Sequence, residues 1–466
     1  MEFNFGNLLF MAVLLCMGDA KIRIPLRYKR ASANNLKGTT VTGYYITVNL
    51  GTPPQTFNVI VDTGSSNFAV SGTKTSFSDS FYNKALSNTS IDTTLPTVDV
   101  HYTEGWWKGN IVSDLLTIPS ANLIQPVRVH VADISETKNF FINESQWIGI
   151  LGLAYSSLVL PKNGGLWSVM HDIVEQTTLE DILSMQLCST PTRDETQGVL
   201  LFGEWDSSLA TGQIYWTRIV KQWYYDILIT GLKVGDTMIE VDCEELNNDR
   251  TIVDSGTTNL RLPQKVYNLV VSVIKTKLVK DDFDDDFYDG TKMFCTSEPN
   301  VLFSWFPNLS IFLPSTEANK TIELTVFPQS YLQLTEGLVT ETLLGRSCYK
   351  FAIFPSTSGS VLGTVVMEQY YVVFDRGNNT VGFATSKCAV LPTTSIQIRN
   401  GWINSTSCQY ISHSVKSPLT LAAYIVLGLF CICLLPVCFL IAYNFFRKRS
   451  PGIGCCSGSY NQLNDT

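Results

Sequence analysis

From about residue 39 onward, short runs of alternating apolar and polar residues dominate the chain, with Gly and Pro between the runs. This two-residue period indicates β-strands with one buried face, because successive side chains of a strand point to opposite sides. Residues 43–57 show the pattern and turn at Pro53 and Pro54. A helical period between residues 166 and 183 predicts one amphipathic helix. The pattern as a whole predicts a mostly β protein.

Two apolar stretches lie outside this pattern, one near each end of the chain. Residues 1–20 contain a short apolar core followed by small residues, which is typical of a secretory signal peptide. Residues 418–443 carry no charge and are long enough to cross a bilayer. Basic residues follow at 447–449, so we expect residues 444–466 to form a cytosolic tail. These features predict a single-pass type I membrane protein with one C-terminal transmembrane helix.

The segment between the signal peptide and the β pattern, residues 21–30, is basic and also contains alternating apolar residues. Its last four residues, RYKR, are typical of a site cut by a furin-like convertase. We expect a pro-segment that lies across an acidic cleft and is removed after Arg30. A solvated linker is the alternative interpretation.

Composition and charge narrow the function classes. The chain has 466 residues, of which 45% are hydrophobic, enough for two sizeable lobes. Its net charge of −8 argues against nucleic-acid binding, which needs a basic face. With four histidines and no His-Glu-x-x-His motif, the chain is a poor candidate for a zinc site or a Ser-His-Asp protease, and we expect no metal or cofactor. The acidic run at residues 281–286 lacks the spacing of a calcium loop and predicts a solvated surface loop.

Two segments, VIVDTGSSN at residues 59–67 and TIVDSGTTN at residues 251–259, repeat the same order of residue types. In each segment, β-branched residues predict a short buried strand that ends at an aspartate, Asp62 or Asp254. The glycine two residues later permits a tight turn. The chain therefore contains an internal repeat built around two aspartates.

This repeat suggests a specific chemistry. Two strand-Asp-turn units, one per half, would bring Asp62 and Asp254 face to face across a pseudo-twofold axis. Two carboxylates in contact do not both ionise easily, so the pair holds one proton at acidic pH. One carboxylate then acts as general base on a water, and the protonated one polarises a peptide carbonyl. An ordinary β-turn is the alternative interpretation of one such segment, and the matched flanks of two copies favour catalysis.

Both segments resemble the active-site loops of the pepsin-type aspartic proteases, specifically the membrane-anchored beta-secretase (memapsin) branch. The resemblance implies an aspartic-type endopeptidase with a mostly β, bilobal pepsin-like fold and pseudo-twofold lobes. The expected lobes are residues 39–205, which include a flap, and residues 206–410. A stem at residues 411–417 would then lead to the membrane span.

The resemblance also assigns supporting roles to residues beside each aspartate. They are Thr63, Gly64, Ser65, Ser255, Gly256 and Thr257. By resemblance, Thr63 and Ser255 lock the two loops to each other. Ser65 and Thr257 donate hydrogen bonds to the outer carboxylate oxygens.

Residues 98–109 predict a hairpin with a glycine at its tip, and by resemblance this hairpin is the flap over the cleft. Tyr102 would be the flap tyrosine and Trp107 its hydrogen-bond partner. Thr258, Asn259 and Arg261 would bind substrate. We expect Arg261 to favour polar or acidic substrate side chains, and a surface arginine without substrate contact is the alternative.

Six cysteines fall in the predicted ectodomain, which in a secreted chain suggests three disulfides with 15 possible pairings. The resemblance implies Cys188–Cys388, Cys243–Cys408 and Cys295–Cys348. Six Asn-x-Ser/Thr sequences suggest N-glycosylation in the secretory pathway. They begin at Asn88, Asn143, Asn308, Asn319, Asn378 and Asn404.

Together these patterns predict a protease that cleaves polypeptides at acidic pH, and the beta-secretase resemblance suggests type I membrane proteins as substrates. The YNQL sequence at residues 460–463 is typical of an endocytic signal, so we expect the Golgi, endosomes and the cell surface. Three alternatives remain open at this point. They are a broad-specificity endolysosomal protease, a catalytically silent peptide-binding receptor of the same fold, and a non-enzymatic adhesion ectodomain.

Overall fold

The structure is a computed structural model that describes residues 23–29, 43–75, 78–102, 105–119, 125–140, 147–162, 164–188, 198–280, 283–335, 346–389, 396–401, 408, 434–435 and 439–442. Residues 1–411 belong to one compact unit and residues 412–466 to a second. The fold and the site lie in the first unit. Its described residues are mostly β, as the alternation predicts.

The strands of this unit are β1 (Arg23–Pro25), β2 (Arg27–Lys29), β3 (Gly43–Leu50), β4 (Gln55–Asp62), β5 (Phe68–Ser71), β6 (Ile91–Asp92), β7 (Val98–Tyr102), β8 (Gly105–Thr117), β9 (Val127–Lys138), β10 (Gly149–Gly152), β11 (Ile182–Leu187), β12 (Gly198–Phe202), β13 (Ala210–Arg218), β14 (Lys221–Gln222), β15 (Tyr225–Asp226), β16 (Gly231–Val234), β17 (Thr237–Met238), β18 (Thr251–Val253), β19 (Leu260–Pro263), β20 (Phe294–Thr296), β21 (Leu309–Pro314), β22 (Lys320–Val326), β23 (Leu332–Thr335), β24 (Ser347–Phe351), β25 (Ile353–Ser356), β26 (Ser360–Leu362), β27 (Tyr370–Asp375), β28 (Thr380–Ser386) and β29 (Ile396–Asn400).

The α-helices in the described part of the unit are α1 (Val169–Gln176), α2 (Cys243–Leu246), α3 (Gln264–Lys277), α4 (Asp285–Tyr288), α5 (Pro299–Trp305), α6 (Pro328–Tyr331) and α7 (Thr364–Met367). Helix α1 lies inside the range that the helical period predicts, and the Ser168 hydroxyl caps its first turn. The acidic run predicted as a surface loop enters α4 at Asp285. Asp285 forms an ion pair with Lys275 and Asp284 forms one with Lys292, and both contacts are exposed.

Two large sheets carry the two halves of the repeat. The first has the order β2-β3-β4-β10-β5-β9-β8-β6, with β7 paired to β8. The second has the order β14-β15-β18-β26-β19-β25, and a five-stranded sheet, β17-β16-β21-β22-β29, accompanies it. In both of these sheets, the strand that leads to an aspartate has buried apolar side chains of its own, including Val61 and Val253. This arrangement agrees with a mostly β, bilobal pepsin-like fold.

A third large sheet, β1-β12-β11-β27-β28-β13, contains strands from both halves of the sequence. Arg376 follows β27 and reinforces the connection between the halves. Its Nε donates to Asp181 Oδ1 over 2.6 Å, and its guanidinium lies 4.4 Å from the ring centre of Tyr155. Its Nη1 also bonds the hydroxyl of Tyr225 over 3.2 Å.

The basic segment after the predicted signal peptide does not lie across the cleft in its described part, contrary to the expectation above. Strand β1 pairs with β12, and β2 pairs with β3, so residues 23–29 are built into two sheets. Ile24 and Leu26 have no exposed surface and belong to the core, while Arg23 forms an ion pair with the buried Asp206. Burial of two large apolar side chains outweighs the weak attraction of cations to an acidic cleft. Arg30 lies outside the described residues.

Three disulfides join Cys188 to Cys388, Cys243 to Cys408, and Cys295 to Cys348. These are the pairs that the resemblance implies. The last one connects directly paired residues of β20 and β24. Each closes a long loop of chain, and such links restrict the unfolded state.

Within the described part of the chain, no helix is long and apolar enough to cross a membrane. Most of residues 418–443 fall outside that part, so the predicted span stays a prediction.

Candidate active site

Each aspartate lies at the end of a strand that is held in the same way in both halves. Strand β4 runs parallel to β10, and Asp62 is opposite Gly152. Strand β18 runs parallel to β26 and ends one residue before Asp254, whose backbone N–H donates to Leu362. In both halves, the strand that follows the aspartate in sequence pairs antiparallel with this parallel partner: β5 pairs with β10, and β19 pairs with β26. The repeat in sequence is therefore a repeat in structure.

The two loops are tied together by four hydrogen bonds between Thr63 and Ser255 and the opposite strand ends. The Thr63 hydroxyl donates to Val253 O over 2.9 Å and accepts from the Ser255 N–H over 2.9 Å. In return, the Ser255 hydroxyl donates to Val61 O over 2.8 Å and accepts from the Thr63 N–H over 3.1 Å. Both side chains are buried, so water does not compete for the groups that form these bonds. The distance between the loops is thereby fixed.

Each carboxylate accepts a matching pair of hydrogen bonds from its own loop. Asp62 Oδ1 accepts from the Gly64 N–H over 2.8 Å, and its Oδ2 accepts from the Ser65 hydroxyl. Asp254 Oδ1 accepts from the Gly256 N–H over 2.8 Å, and its Oδ2 accepts from the Thr257 hydroxyl over 2.7 Å. Each carboxylate is therefore held by donors from its own loop, in the same way in both halves.

The two glycines are needed because each loop passes directly beside the opposite carboxylate. A Cβ added to Gly64 would lie 2.5 Å from the carboxyl carbon of Asp254. A Cβ added to Gly256 would lie 2.6 Å from the carboxyl carbon of Asp62. Any larger residue at either position would force the carboxyl groups apart.

Burial and mutual repulsion control the protonation of the pair. Asp62 and Asp254 are 5% and 7% exposed. Desolvation raises the pKa of Asp62 well above its usual range, and the nearby charge of Asp254 raises it further. The hydrogen bonds from Ser65 and Gly64 lower that pKa, but they do not cancel the two larger effects. Asp62 therefore holds a proton under conditions in which an exposed aspartate is ionised.

Strands β7 and β8 form the predicted hairpin and carry an aromatic cluster to the site. Trp107 Nε1 donates to the Tyr102 hydroxyl over 3.2 Å, and Trp107 is fully buried. The Tyr102 ring stacks on Phe140, with ring centres 5.4 Å apart. Burial raises the pKa of the Tyr102 hydroxyl, with the charge of Asp62 as the second cause, so the hydroxyl stays protonated. Residues 103–104, at the tip, lie outside the described residues.

A cleft of 330 Å³ lies between the hairpin and the two aspartates. Asp62, Asp254 and Tyr102 line it, together with the predicted substrate-binding residues Thr258, Asn259 and Arg261. Thr258 and Asn259 are almost fully buried, so they shape the wall and expose little surface of their own.

Comparison with known proteins agrees with this geometry. The sequence profile of the eukaryotic aspartyl protease family matches residues 43–386, which include both aspartates and the hairpin. The chain belongs to this family. It is an aspartic endopeptidase, and its substrates are polypeptides.

Individual relatives differ in how much of this chain they match. It is 35% identical to a beta-secretase of Strongylocentrotus purpuratus over 451 residues, which cover 90% of this chain and 82% of that protein. It is 29% identical to human gastricsin and 30% identical to gastricsin of Callithrix jacchus, each over 74% of this chain and 81% of the relative. The similarity to beta-secretase thus extends over more of the chain than the similarity to gastricsin.

The geometry of the protease suits direct attack by water on a peptide bond. A protonated and an ionised carboxylate in contact supply an acid and a base at one point. The ionised group takes a proton from water, and the protonated group donates to the peptide carbonyl oxygen as its charge develops. No side chain needs to form a covalent bond to the substrate, because water is the nucleophile. Both aspartates are fixed through their loops before substrate binds, so little reorganisation accompanies the reaction.

The cleft residues that sequence reasoning missed include His101, Tyr224 and Arg250. His101 precedes Tyr102, and its Nε2 lies 3.0 Å from Asp99 Oδ1. A usable signal existed for Arg250. It lies four residues before Asp254, and strand periodicity places alternate residues on one face. Tyr224 had no such signal, because a separate hairpin brings it to the cleft.

Four of the predicted glycosylation asparagines fall within the described residues and are exposed. They are Asn88, Asn308, Asn319 and Asn378. Asn143 and Asn404 lie outside the described part of the chain. In that part, no group of three or more His, Cys, Asp or Glu side chains is arranged to hold a metal ion.

Proposed function

We propose that this protease is a membrane-anchored, beta-secretase-like endopeptidase that works at acidic pH and releases the ectodomains of type I membrane proteins. The observation that carries the proposal is its 35% identity to a beta-secretase across 90% of the chain. That span reaches beyond the residues matched by the family profile, 43–386.

The acidic pH dependence rests on the two aspartates. Catalysis needs one protonated and one ionised carboxyl group, and burial together with the charge of Asp254 raises the pKa of Asp62. The rate then falls at low pH, where both groups are protonated, and at high pH, where the proton is lost. A bell-shaped profile with an acidic maximum follows.

The membrane anchor rests on the uncharged residues 418–443 and the basic residues that follow them. With an N-terminal signal peptide, this topology places the catalytic unit in the lumen or outside the cell. We expect the protease in the Golgi, in endosomes and at the cell surface, with a furin-like convertase cutting after Arg30. Tethering would concentrate the cleft near the stalks of other membrane proteins, which makes cleavage of a shared-membrane substrate effectively intramolecular.

The test uses one cleavable peptide sequence in two reporters, one tethered by a transmembrane helix and one secreted. Cells express the full-length protease, a variant ending at residue 414, or full-length Asp62→Asn. We expect the full-length protease to release the tethered reporter at least about 10-fold faster than the truncated one, because tethering raises the effective concentration. Both should cleave the secreted reporter equally, and Asp62→Asn should cleave neither.

Equal release of the tethered reporter by the full-length and truncated proteases would contradict the proposed role of the anchor. A broad-specificity endolysosomal protease is the second candidate, because the similarity to gastricsins covers 74% of the chain. Cleavage of many unrelated secreted proteins by the truncated form would favour that candidate.

A further inference from the structure

One face of the sheet β1-β12-β11-β27-β28-β13 carries a row of polar side chains. Asp375 on β27 pairs with Thr380 on β28, and Thr380 pairs in turn with Arg218 on β13. Directly opposite residues of an antiparallel pair point to the same face, so the three side chains form one row across the sheet. The row offers a carboxylate that accepts hydrogen bonds, a guanidinium that donates them and a hydroxyl that does both.

An aromatic ring lies beside this row. Trp216 comes two residues before Arg218 on β13, and two residues of a strand span about 6.6 Å. Trp216 pairs with Gly382 on β28. A Cβ added to Gly382 would lie 2.7 Å and 2.8 Å from two ring carbons of Trp216, so the ring packs directly over this glycine. Trp216 is half-buried and β13 is the edge strand of the sheet, so part of the ring remains accessible.

The polar row and the ring line an open pocket of 440 Å³. Thr316 closes one side of it, and its backbone N–H donates to Trp216 O over 2.8 Å. Asn378 also lines the pocket. An aromatic ring beside hydrogen-bond donors and acceptors suits a sugar, because a pyranose ring has an apolar C–H face and a rim of hydroxyl groups.

Asn378 begins the Asn-Asn-Thr sequence at residues 378–380, a predicted glycosylation site. It is exposed and lies in the turn between β27 and β28. Asp375 Oδ2 accepts from Asn378 Nδ2 over 2.8 Å, and Asp375 Oδ1 accepts from the Asn378 backbone N–H over 2.9 Å. A glycosylated amide nitrogen keeps one N–H, so this contact holds the attachment atom at the edge of the pocket. Among the described sites, Asn88, Asn308 and Asn319 lie outside the pocket.

The turn that carries Asn378 is itself fixed by the backbone. The N–H groups of Arg376 and Gly377 donate to Asp181 O over 3.0 Å and 3.2 Å. Asn379 O accepts from the Ile219 N–H over 2.9 Å, which ties the turn to the residue after β13. A sugar attached to a fixed turn has fewer conformations to lose when it enters the pocket, which lowers the entropic cost of binding.

We propose that this pocket binds the N-acetylglucosamine core of the protease's own glycan at Asn378. Trp216 is the stacking surface, and Arg218, Thr316 and Asp375 supply the hydrogen-bonding groups. The bound core covers part of the edge strand β13, which protects that edge from pairing with other chains. The proposal shares with the proposed function only the passage of the chain through the secretory pathway, and it does not depend on proteolytic activity.

The test treats full-length protease, purified in detergent from mammalian cells, with peptide N-glycosidase F under native conditions. Mass spectrometry follows glycan release at Asn378 and, in the same molecules, at Asn88. The glycosidase must reach the bond between the first sugar and the asparagine, so release proceeds only from molecules whose core has left the pocket. Release at Asn378 should therefore be at least about 10-fold slower than at Asn88. After denaturation, both sites should be released at the same rate.

Trp216→Leu removes the aromatic surface and should bring the release rate at Asn378 to within about 2-fold of the rate at Asn88. Trp216→Tyr keeps a ring and should keep part of the protection. If Trp216→Leu does not fold, Arg218→Ala replaces it, because Arg218 is exposed and its loss should also speed release at Asn378.

Three results would overturn the proposal. They are equal native release rates at Asn378 and Asn88, unchanged protection of Asn378 in the folded variants, and a glycan at Asn88 with Asn378 unmodified. A protease without a glycan at any site would overturn both this proposal and the lumenal topology of the proposed function, so the two failures are distinguishable.

Discussion

At the scale of single residues, the two catalytic aspartates destabilise the folded state, and other contacts of the fold hold them in place. Asp62 is buried and faces a second carboxylate, and both features raise its pKa. Its charged form is therefore disfavoured in the folded state relative to the unfolded chain. The bonds between Thr63, Ser255 and the opposite strands keep the loops together despite this repulsion.

Asp62→Asn should stabilise the fold in a pH-dependent way. Because the folded-state pKa of Asp62 is raised, its stability contribution is complete below the unfolded pKa of about 3.9 and is lost as pH rises through the folded pKa. A neutral Asn removes that loss. Thermal unfolding should show equal Tm values for both proteins near pH 3, and a Tm about 2 °C or more higher for Asp62→Asn at pH 7.

A suitable control for this measurement is Asp79→Asn, because Asp79 is exposed and pairs with an exposed lysine. Its Tm difference from the unmodified protease should stay near zero at both pH values. A lower Tm of Asp62→Asn at pH 7 would show that the Asp62 charge stabilises the fold.

The sequence predicts some of these residues and misses others for a physical reason. Asp62 and Asp254 are predictable because the strand, the aspartate, the turn and the hydroxyl residues that serve it are contiguous in the chain. Tyr224 reaches the cleft from a distant hairpin, and only tertiary packing places it there. Arg250 is an intermediate case, because its two-residue alternation with Asp254 is visible in the sequence.

At the scale of strands, an ion cluster around the buried Glu323 connects strands of the five-stranded sheet. Glu323 on β22 pairs with Lys233 on β16 over 2.7 Å and with Arg399 on β29. Burial opposes ionisation of Glu323, but hydrogen bonds from Arg399 and Lys233 outweigh it and lower its pKa. The cluster therefore strengthens the sheet only while Glu323 is ionised.

Glu323→Gln should destabilise the protease at pH 6 by about 2 kcal/mol, because two cations lose a charged partner. A lowered folded-state pKa means that this stabilisation is present above the unfolded pKa of about 4.3 and is lost as pH falls through the folded pKa. The difference in free energy of unfolding between Glu323→Gln and the unmodified protease, measured by urea unfolding, should become smaller below about pH 4. Glu317→Gln is the matched control, since its ion pair with Lys320 is exposed and should contribute little. A constant difference from pH 6 to pH 3 would be inconsistent with this interpretation.

Element prediction succeeds where periodicity is strong and fails where two forces compete. Helix α1 and the hairpin of β7 and β8 fall where their patterns predict them. Residues 23–29 were harder, because their cations suggest an acidic cleft while Ile24 and Leu26 suggest a strand. The structure resolves the competition in favour of burial.

At the scale of the whole molecule, the N-terminal strands and Arg376 join parts of the chain that are far apart in sequence. Strand β1 covers the edge of β12, and β2 covers the edge of β3. Ile24 is fully buried in the core that both halves share, whereas the next residue, Pro25, is exposed. The segment is thus part of the folded unit.

Ile24→Ser should lower the free energy of unfolding by about 2 kcal/mol or more, because it replaces a fully buried aliphatic side chain with a polar one. Pro25→Ser, one residue away on the exposed face, is the matched control and should have a much smaller effect. The measurement is thermal unfolding of the unprocessed protease. Equal effects of the two substitutions would mean that β1 does not pack as the structure has it.

The central claim is that Asp62 and Asp254 together activate water for peptide hydrolysis. The most direct measurement is the pH dependence of kcat/KM of the full-length protease on a peptide substrate, with Asp62→Asn and Asp254→Asn measured beside it. The account predicts a bell-shaped profile with an acidic maximum and a loss of at least about 1,000-fold in either variant at that maximum, with folding intact. A rate that rises steadily to neutral pH, or substantial activity in a folded variant, would contradict it.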